Sequence, residues 1–440
     1  MTSTLAARIT LCLTLLTTLA DPSTAAKLNV DPPPAGYDRT AAAVTDATMH
    51  NFWNRTGGNI FSNALPSAET VTSDPAHNNG YVFWPTIIAF QALVEGERAH
   101  HGRYKGQIWT VYNEGWSQYW NPKWHCYMAW LMFPGNTDSY YDDNAWAIIA
   151  LVEAYTATKT SDPRHASTYL ARAAEIMDNY EYSGWDNTGK PGGVKWGTDT
   201  TKPGTTDKTA SASAGAALAA LMLADAGRNT KINTDWGGRV LTWINTHLAD
   251  TDNLVRDGYR RGPDSKWSIM PTKWTYNTGV TIRAYAEHYK LTHDARDLSI
   301  ANAMAYAAID HHGALFDGLV VDPDTRCWYD GVYFEHYLVD GLIKLGKVTN
   351  DRKLKAALTA ECRREADYTY NYIRDPADNL YWRNLRLWRI GPNQDTAWRQ
   401  LTGQTQALDQ DTSEMSGTQY TKTLLANASA ARMYWLMTGL

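Results

Sequence analysis

The sequence predicts an all-α fold in which six helical hairpins close into a ring, an (α/α)6 toroid. About twelve segments have helical periodicity, and no long segment alternates apolar and polar residues as a strand would. Amphipathic helices alternate with helices that are apolar on all sides, in units of roughly fifty to sixty residues. A uniformly apolar helix is buried, so these helices would form an inner ring. No terminal repeat has an obvious polar outer face, which favours closure over an open solenoid.

The predicted inner helices follow long loops, and the predicted outer helices follow short ones. We expect inner helices at about 85–100, 142–158, 209–226, 275–291, 332–345 and 418–436, and outer helices at about 39–54, 107–120, 165–182, 234–248, 295–312 and 352–373. Pro85 suits the first position of its helix. The loops before the inner helices end at Trp84, Asp142, Thr209, Tyr276, Asp330 and Thr418. They would gather at one end of the ring and form a cleft over the helix N-termini.

Composition excludes some partners and favours others. The chain has 440 residues and a formal net charge of -5, so nothing indicates binding to nucleic acid or to an anionic membrane. It contains 19 Trp and 26 Tyr against only 7 Phe. Trp and Tyr rings carry a polar group, which suits a wet sugar-binding surface more than a dry core. The alternative is that a large helical fold uses Trp as filler.

The N-terminal segment has the pattern of a secretory signal. Arg8 precedes an apolar run at 9–19, and small residues continue to Ala26. The run is too short to span a bilayer. The C-terminal segment 424–440 is interrupted by polar residues and lacks the hydrophobic tail of a lipid-anchor signal. We therefore expect a signal peptide at 1–26 and a single domain at 27–440, secreted, extracellular or cell-wall associated, monomeric and without a membrane anchor.

Cysteines and sequons fit an exported protein. Cys12 lies in the predicted signal, and Cys126, Cys327 and Cys362 remain. One disulfide and one free thiol is the simplest expectation, with the pair left open. Asn54 and Asn427 begin glycosylation sequons. No CxxC motif or ligand-spaced Cys/His cluster occurs, so we expect no metal and no cofactor.

Two adjacent aspartates, Asp142 and Asp143, begin a helix that is apolar nearly all round. One aspartate at this position needs no function, because Asp is a favoured N-cap and suits the positive end of the helix dipole. The pair stands among Tyr140, Tyr141 and Trp146. Carboxylates beside aromatic faces indicate acid/base chemistry on a sugar.

The motifs around this pair resemble those of the family 76 glycoside hydrolases. The resemblance rests on Y-Y-D-D-N-A-W at 140–146, G-G-V-K-W at 192–196 and W-T-Y-N-T-G-V at 274–280, in family order. This family comprises endo-α-1,6-mannanases and related fungal cell-wall transglycosidases with an (α/α)6 fold. The resemblance implies a retaining mechanism, with Asp142 as nucleophile and Asp143 as general acid/base.

The same motifs supply the candidate substrate-binding residues, and three departures from the family pattern affect them. Asn144 stands where Gln is frequent, Thr209 stands where Asn usually follows the lysine, and Y-N-T-G replaces Y-N-Q-G. These changes concern subsite detail, not the chemistry. The candidates are Trp84, Tyr141, Trp146, Trp196, Lys208, Trp274, Tyr276 and Asn277.

The resemblance implies an endo-acting hydrolase that cleaves α-1,6-mannosidic bonds in α-mannan or manno-oligosaccharides by double displacement. One alternative is a transglycosidase that transfers a mannosyl or GPI-glycan unit to wall glucan. A second is a mannan-binding toroid without activity, against which the intact aspartate pair argues. A third is a uronyl hydrolase or an inverting glucan enzyme. Either would need well-separated carboxylates, and the uronyl enzyme also a basic patch.

Overall fold

A ring of helices forms the fold. The computed structural model describes residues 28, 31–54, 58–65, 81–189, 192–262, 264–409, 415–416, 419–420 and 422–440. The predicted signal at 1–26 lies outside these residues. The α-helices are α1 (Gly36–Phe52), α2 (Phe83–Ala99), α3 (Lys105–Thr110), α4 (Tyr141–Thr158), α5 (Pro163–Asn179), α6 (Ala210–Asp225), α7 (Thr230–His247), α8 (Thr275–Thr292), α9 (Ala295–Ala308), α10 (Val332–Val348), α11 (Arg352–Tyr368), α12 (Pro392–Thr402) and α13 (Leu424–Met437).

The described strands are short. They are β1 (Trp53–Asn54), β2 (Ile60–Phe61), β3 (Ala64–Leu65), β4 (Trp120–Asn121), β5 (Cys126–Tyr127), β6 (Lys208–Thr209), β7 (Gly258–Arg261), β8 (Trp267–Met270), β9 (Met415–Ser416), β10 (Gln419–Tyr420) and β11 (Lys422–Thr423). The largest sheet is antiparallel, in the order β6-β7-β8. Four residues are too few for an alternating pattern to be recognised in the sequence, and the fold is mostly helical, as predicted.

Six inner helices close the ring. Helices α2, α4, α6, α8, α10 and α13 contact one another in that order, and α13 packs back against α2. Helices α3, α5, α7, α9 and α11 pack outside their predecessors, while α1 packs outside α13. The first and last of the described helices thus form the sixth pair, which confirms the predicted (α/α)6 toroid.

The inner helices are buried because their sequences are small and apolar on every side. In α6, every residue from Ala210 to Ala224 is buried. Helices α8 and α10 cross at Gly279 and Gly341, where a Cβ atom on either glycine would collide with the other helix. Among the described residues, no helix combines the length and apolar character needed to cross a membrane.

The disulfide prediction is wrong. Cys126, Cys327 and Cys362 are all buried and free. The Cys126 thiol lies 3.2 Å from the Ser139 hydroxyl. A free cysteine behaves as a small apolar side chain, so the core accommodates all three thiols without a covalent link.

The prediction of glycosylation at Asn427 is also wrong. This side chain is fully buried in the inner helix α13. Its Oδ1 accepts the Tyr381 backbone N–H at 2.9 Å, and its Nδ2 donates to the Thr423 carbonyl at 2.9 Å. Asn54, in β1, is partly exposed and stays a predicted acceptor. The remainder of its sequon, 55–56, lies outside the described residues.

Candidate active site

A cleft of about 470 Å³ opens at the N-terminal ends of the inner helices. Aromatic and acidic side chains dominate its walls. The lining residues are Val82, Trp84, Ala129, Trp130, Tyr140, Asp142, Asp143, Trp146, Trp196, Asp207, Thr209, Ser211, Asp257, Arg260, Met270, Trp274, Tyr276, Phe334 and Tyr337.

Asp142 lies in the first turn of α4 and is held by hydrogen-bond donors. Its Oδ2 accepts from Trp196 Nε1 at 3.0 Å and from Ser211 Oγ at 3.0 Å, and its Oδ1 accepts the Asp143 backbone N–H at 3.0 Å. Burial raises the pKa of Asp142 to about 6, while the Ser211, Trp196 and backbone donors oppose the rise. Donors stabilise the ionised form, so Asp142 is the carboxylate of the pair.

Asp143 has no such support. Among the described residues, no group donates a hydrogen bond to its carboxyl. Burial raises the pKa of Asp143 well above its ordinary value, and the neighbouring Asp142 charge raises it further. This environment favours the protonated form of Asp143 over that of Asp142, and the protons of the two neighbouring carboxyls belong to the pair.

The pair does not cap the helix. The N-cap residue of α4 is Tyr140, whose side chain makes no capping bond. The Asp143 carboxyl accepts no backbone N–H of the described residues. The helix dipole and the backbone N–H bond explain Asp142 structurally, whereas no hydrogen bond among the described residues explains the buried Asp143 carboxyl. One ionised and one protonated carboxyl, side by side in a cleft, can perform nucleophilic and general acid catalysis.

The pair should give a bell-shaped pH dependence of kcat/KM. A nucleophilic carboxylate must be ionised, so with Asp142 in that role activity should fall as pH drops below about 6. A general acid must be protonated, so with Asp143 in that role activity should also fall at high pH. Ser211→Ala removes a donor from ionised Asp142 and should move the acidic limb to higher pH. Initial rates across pH for wild type and variant test this, and an acidic limb that stays in place would contradict it.

Three aromatic groups surround the carboxyls. Tyr337 packs on Trp146 with ring centroids 4.8 Å apart, and its hydroxyl accepts from Trp84 Nε1 at 3.4 Å. Tyr140 and Trp196 pack with centroids 4.7 Å apart. These two groups flank the aspartates, so each ring has a fixed orientation beside them.

The third aromatic group joins two inner helices. Tyr276, in the first turn of α8, stacks on Phe334 of α10 with centroids 4.1 Å apart, and Trp274 lies 5.6 Å from the same ring. Asp330 supports this end of α8 from outside the cleft lining. Its Oδ2 accepts the Thr275 backbone N–H at 2.7 Å and the Thr275 hydroxyl at 2.8 Å.

Two further carboxyls and one cation lie on the wall formed by the β6-β7-β8 sheet. Asp207 accepts the Arg261 backbone N–H at 3.0 Å and lies 3.5 Å from Arg260 Nε. Asp257 precedes β7 and accepts from Asn277 Nδ2 at 3.2 Å. The described lining thus contains four carboxyls and one guanidinium. Such a lining disfavours an anionic substrate and offers acceptors for hydroxyl groups.

Five of the eight candidate binding residues line the cleft: Trp84, Trp146, Trp196, Trp274 and Tyr276. The other three lie behind its wall. Tyr141 is buried, with its ring stacked on Tyr180 and its hydroxyl 3.1 Å from Ser183 Oγ. Lys208 is buried, and its Nζ donates to the carbonyls of Asp186 and Thr188 at 2.9 and 2.8 Å. Asn277 is buried, and it bonds to two lining residues, to Asp257 through Nδ2 and to the Trp274 carbonyl through its backbone N–H.

Sequence reasoning missed several lining residues. Phe334 and Tyr337 occupy the first turns of α10. The rule that loops precede inner helices could have identified them, because it had already selected Asp330. Asp257, Arg260 and Met270 lie on or beside the sheet, and no local motif marks them. Within the described residues, no group of three or more His, Cys, Asp or Glu could hold a metal ion.

The chain is similar to known proteins over most of its length. The model of glycosyl hydrolase family 76 matches residues 37–423. Meiotically up-regulated gene 191 protein of Schizosaccharomyces pombe (strain 972) is 26% identical over 415 residues, which cover 90% of this chain and 91% of that protein.

Two solved structures share the fold. A GH76 alpha-mannanase of Bacteroides thetaiotaomicron aligns with a TM-score of 0.68 at 19% identity, over 91% of this chain and 95% of that one. An inactive variant of the alpha-1,6-mannanase of Salegentibacter sp. HEL1_6 aligns with a TM-score of 0.65 at 17% identity, over 91% and 98%. In that variant two adjacent aspartates are replaced by asparagine, and alpha-1,6-mannotriose is bound. The match over most of its length, together with the toroid, shows that this chain belongs to glycosyl hydrolase family 76.

Proposed function

We propose that this protein is a retaining, endo-acting hydrolase of α-1,6-mannosidic bonds in mannan. The observation that carries the proposal is the asymmetry of the aspartate pair. Asp142 accepts three hydrogen bonds, whereas the Asp143 carboxyl accepts none from the described residues. This asymmetry gives adjacent carboxyls different protonation states, as a nucleophile and its acid partner require.

The reaction proceeds in two displacements. In the first, an Asp142 oxygen bonds to the anomeric carbon, the bond to the glycosidic oxygen breaks, and Asp143 gives that oxygen its proton. In the second, water bonds to the anomeric carbon, Asp143 takes a proton from that water, and the bond to Asp142 breaks. Both side chains return to their initial states, and two inversions leave the anomeric configuration retained.

The substrate class is inferred from the lining and from a relative. Four carboxyls against one guanidinium favour a neutral sugar over a uronic acid. Half-buried rings such as Trp84, Trp196 and Tyr276 offer faces on which sugar rings stack. The relative from Salegentibacter binds alpha-1,6-mannotriose. Together they support an α-1,6-linked mannan backbone as substrate. The proposal also includes secretion: a signal peptide at 1–26 is removed, and the mature protein is a single domain at 27–440.

Product analysis on unbranched α-1,6-mannan tests the proposal. Short α-1,6-manno-oligosaccharides with retained anomeric configuration, seen by chromatography and early-time NMR, are the expected result. Release of mannose alone would contradict endo action, and initial inversion would contradict the double displacement. When short α-1,6-manno-oligosaccharides are used as the substrate, products longer than those oligosaccharides would instead identify a transglycosidase. The Asp142→Asn/Asp143→Asn double variant, which should release nothing, is the control for contaminating activity.

A further inference from the structure

A chain of three hydrogen bonds joins the backbone of α6 to the side chain of Asp142. The Thr209 hydroxyl, at the N-cap of α6, accepts the Ala212 backbone N–H at 3.2 Å. The same hydroxyl lies 2.9 Å from Ser211 Oγ, and Ser211 Oγ lies 3.0 Å from Asp142 Oδ2. Thr209 therefore reaches Asp142 through Ser211, and we call these two side chains the hydroxyl relay.

The direction of the bonds in the hydroxyl relay follows from the protons that are available. An ionised carboxylate only accepts, so the single hydroxyl proton of Ser211 goes to Asp142 Oδ2. Ser211 is then the acceptor towards Thr209, and the Thr209 proton goes to Ser211 Oγ. Each hydroxyl thus donates towards Asp142, an order in which the first bond strengthens the second.

The other groups around Asp142 do not form such a chain. Trp196 Nε1 donates to the same Oδ2 atom at 3.0 Å, but an indole N–H has no acceptor through which a further donor could strengthen it. The titratable neighbours are Asp143, Tyr140, Glu181 and Tyr276. Burial raises the pKa of all four, which favours their neutral forms. The Tyr276 hydroxyl also faces Ser211, whose oxygen has a second lone pair to accept from it.

A second inner helix begins in the same way but has no hydroxyl relay. Thr423, at the N-cap of α13, accepts the Ala426 backbone N–H at 3.2 Å, and it follows a buried lysine in a two-residue strand, as Thr209 does. Two positions after Thr423 stands Leu425, whereas two positions after Thr209 stands Ser211. Helix capping therefore explains a threonine at both starts, and of these two helices α6 alone connects its cap to a carboxylate of the cleft.

We propose that Thr209 is a positioning residue for the nucleophile, because its hydroxyl holds the Ser211 side chain in the orientation that donates to Asp142. The inference rests on the proposed function, in which Asp142 attacks the anomeric carbon. Without the Thr209 proton, the Ser211 hydroxyl is free to rotate, and the ionised form of Asp142 loses part of its support. Trp196 would then be the main side-chain donor to Oδ2, so the carboxylate would be less well fixed for attack.

The pH dependence of kcat/KM on α-1,6-mannan tests this role. Thr209→Val removes the hydroxyl and keeps the shape, so the acidic limb should move up by about half a pH unit, which lowers kcat/KM about threefold at about pH 5. Thr209→Ser keeps the donor and should restore the wild-type profile. Thr209→Val combined with Ser211→Ala should shift the limb no further than Ser211→Ala alone, because Thr209 acts through Ser211. Additive shifts, or an unmoved limb in Thr209→Val, would overturn the proposal.

Thr423→Val is the matched control. Both valine variants lose an N-cap bond of the same length at an inner helix, so each should lower Tm by about 1–3 °C. Thr423 does not line the cleft, and its variant should keep the wild-type acidic limb. Equal shifts of the limb in both valine variants would mean that loss of a helix cap moves it, and the hydroxyl relay would be disproved.

Carbon-13 NMR of the unliganded full chain separates this inference from the proposed function. Aspartate labelled at the γ-carbon reports the titration of Asp142, which is identified by its loss in Asp142→Asn. Thr209 lines the cleft, but a contact with the sugar cannot affect a titration without substrate. The midpoint should rise in Thr209→Val and stay unchanged in Thr423→Val. An unchanged midpoint in Thr209→Val would overturn the inference even if wild type hydrolyses mannan. A raised midpoint in a protein that does not hydrolyse mannan would support the hydroxyl relay and contradict only the proposed function.

Discussion

Asp143→Asn should lower kcat/KM on α-1,6-mannan by about 10³-fold or more, because the leaving oxygen then receives no proton. An aryl mannoside with a good leaving group needs little protonation, so the first step should largely recover on that substrate. Added azide should then replace water in the second step, where no general base is needed. NMR should show mannosyl azide of retained configuration from Asp143→Asn and of inverted configuration from Asp142→Ala.

A nearby carboxylate provides the control for this experiment. Asp138→Asn changes the same residue type four positions before Asp142, but Asp138 accepts from Lys202 and does not line the cleft. It should keep nearly full activity. Azide products of the same configuration from both Asp142→Ala and Asp143→Asn would show that the assigned roles are wrong.

The Asp143 variant should also retain its stability. Burial and the Asp142 charge raise the pKa of Asp143, so the unfolded chain loses this proton at lower pH than the folded chain. Ionisation therefore favours unfolding as pH rises, and an uncharged Asn removes that cost. The Tm of Asp143→Asn at neutral pH should equal or exceed that of wild type. A lower Tm would mean that the activity loss partly reflects misfolding.

Arg283→Met should destabilise the fold by about 3–5 kcal/mol, because it leaves buried carboxylates without their main partner. Arg283 Nη1 donates to Glu153 Oε1 at 2.8 Å and to Asp340, and all three side chains are buried. Arg432 of α13 also contacts Asp340, at 2.9 Å, and cannot neutralise two acids alone. Four inner helices contribute to this network, so its loss should weaken the packing of the whole inner ring. Denaturant unfolding with linear extrapolation measures the change.

The network should also make stability depend on acid pH. Burial raises the pKa of Asp340 and Glu153, but Arg283 and Arg432 outweigh it and hold both values below the ordinary range. The unfolded chain therefore binds these protons at higher pH than the folded chain. The stabilisation is complete above the ordinary carboxyl pKa and is lost as pH falls through the folded values. Arg283→Met should flatten this acid dependence.

The matched control for the network is Arg296→Met. Arg296 is an exposed residue of α9 that pairs with the capping Asp294 at the surface. Its removal should leave the free energy of unfolding unchanged within error, because exposed pairs are screened by water. A similar loss in both arginine variants would show that the buried network has no special weight.

Much of the fold and part of the site could be read from residue order. The alternation of apolar and amphipathic helices is a local property of the sequence. It predicted the ring because a helix that is apolar on all sides must be buried inside, whereas an amphipathic helix buries one face and exposes the other. The Asp142–Asp143 pair and Trp84, Trp146, Trp274 and Tyr276 were found because they lie at or near the starts of inner helices, whereas Trp196 was found from the G-G-V-K-W motif. Helix α12 was missed, since only three of its residues, Asp395, Trp398 and Leu401, are buried.

The tertiary structure decided what depends on contacts distant in sequence. It packed α1 against α13, kept the three cysteines as free thiols, and placed the Asn427 sequon in the core. It also brought Asp257 and Arg260 into the cleft and moved Lys208 behind it. Residue order by itself determined the helical ring and the position of the aspartate pair that we propose to be catalytic, because period and adjacency are local. The walls of the cleft and the protonation of each aspartate required the fold, because burial and hydrogen-bond partners come from other helices.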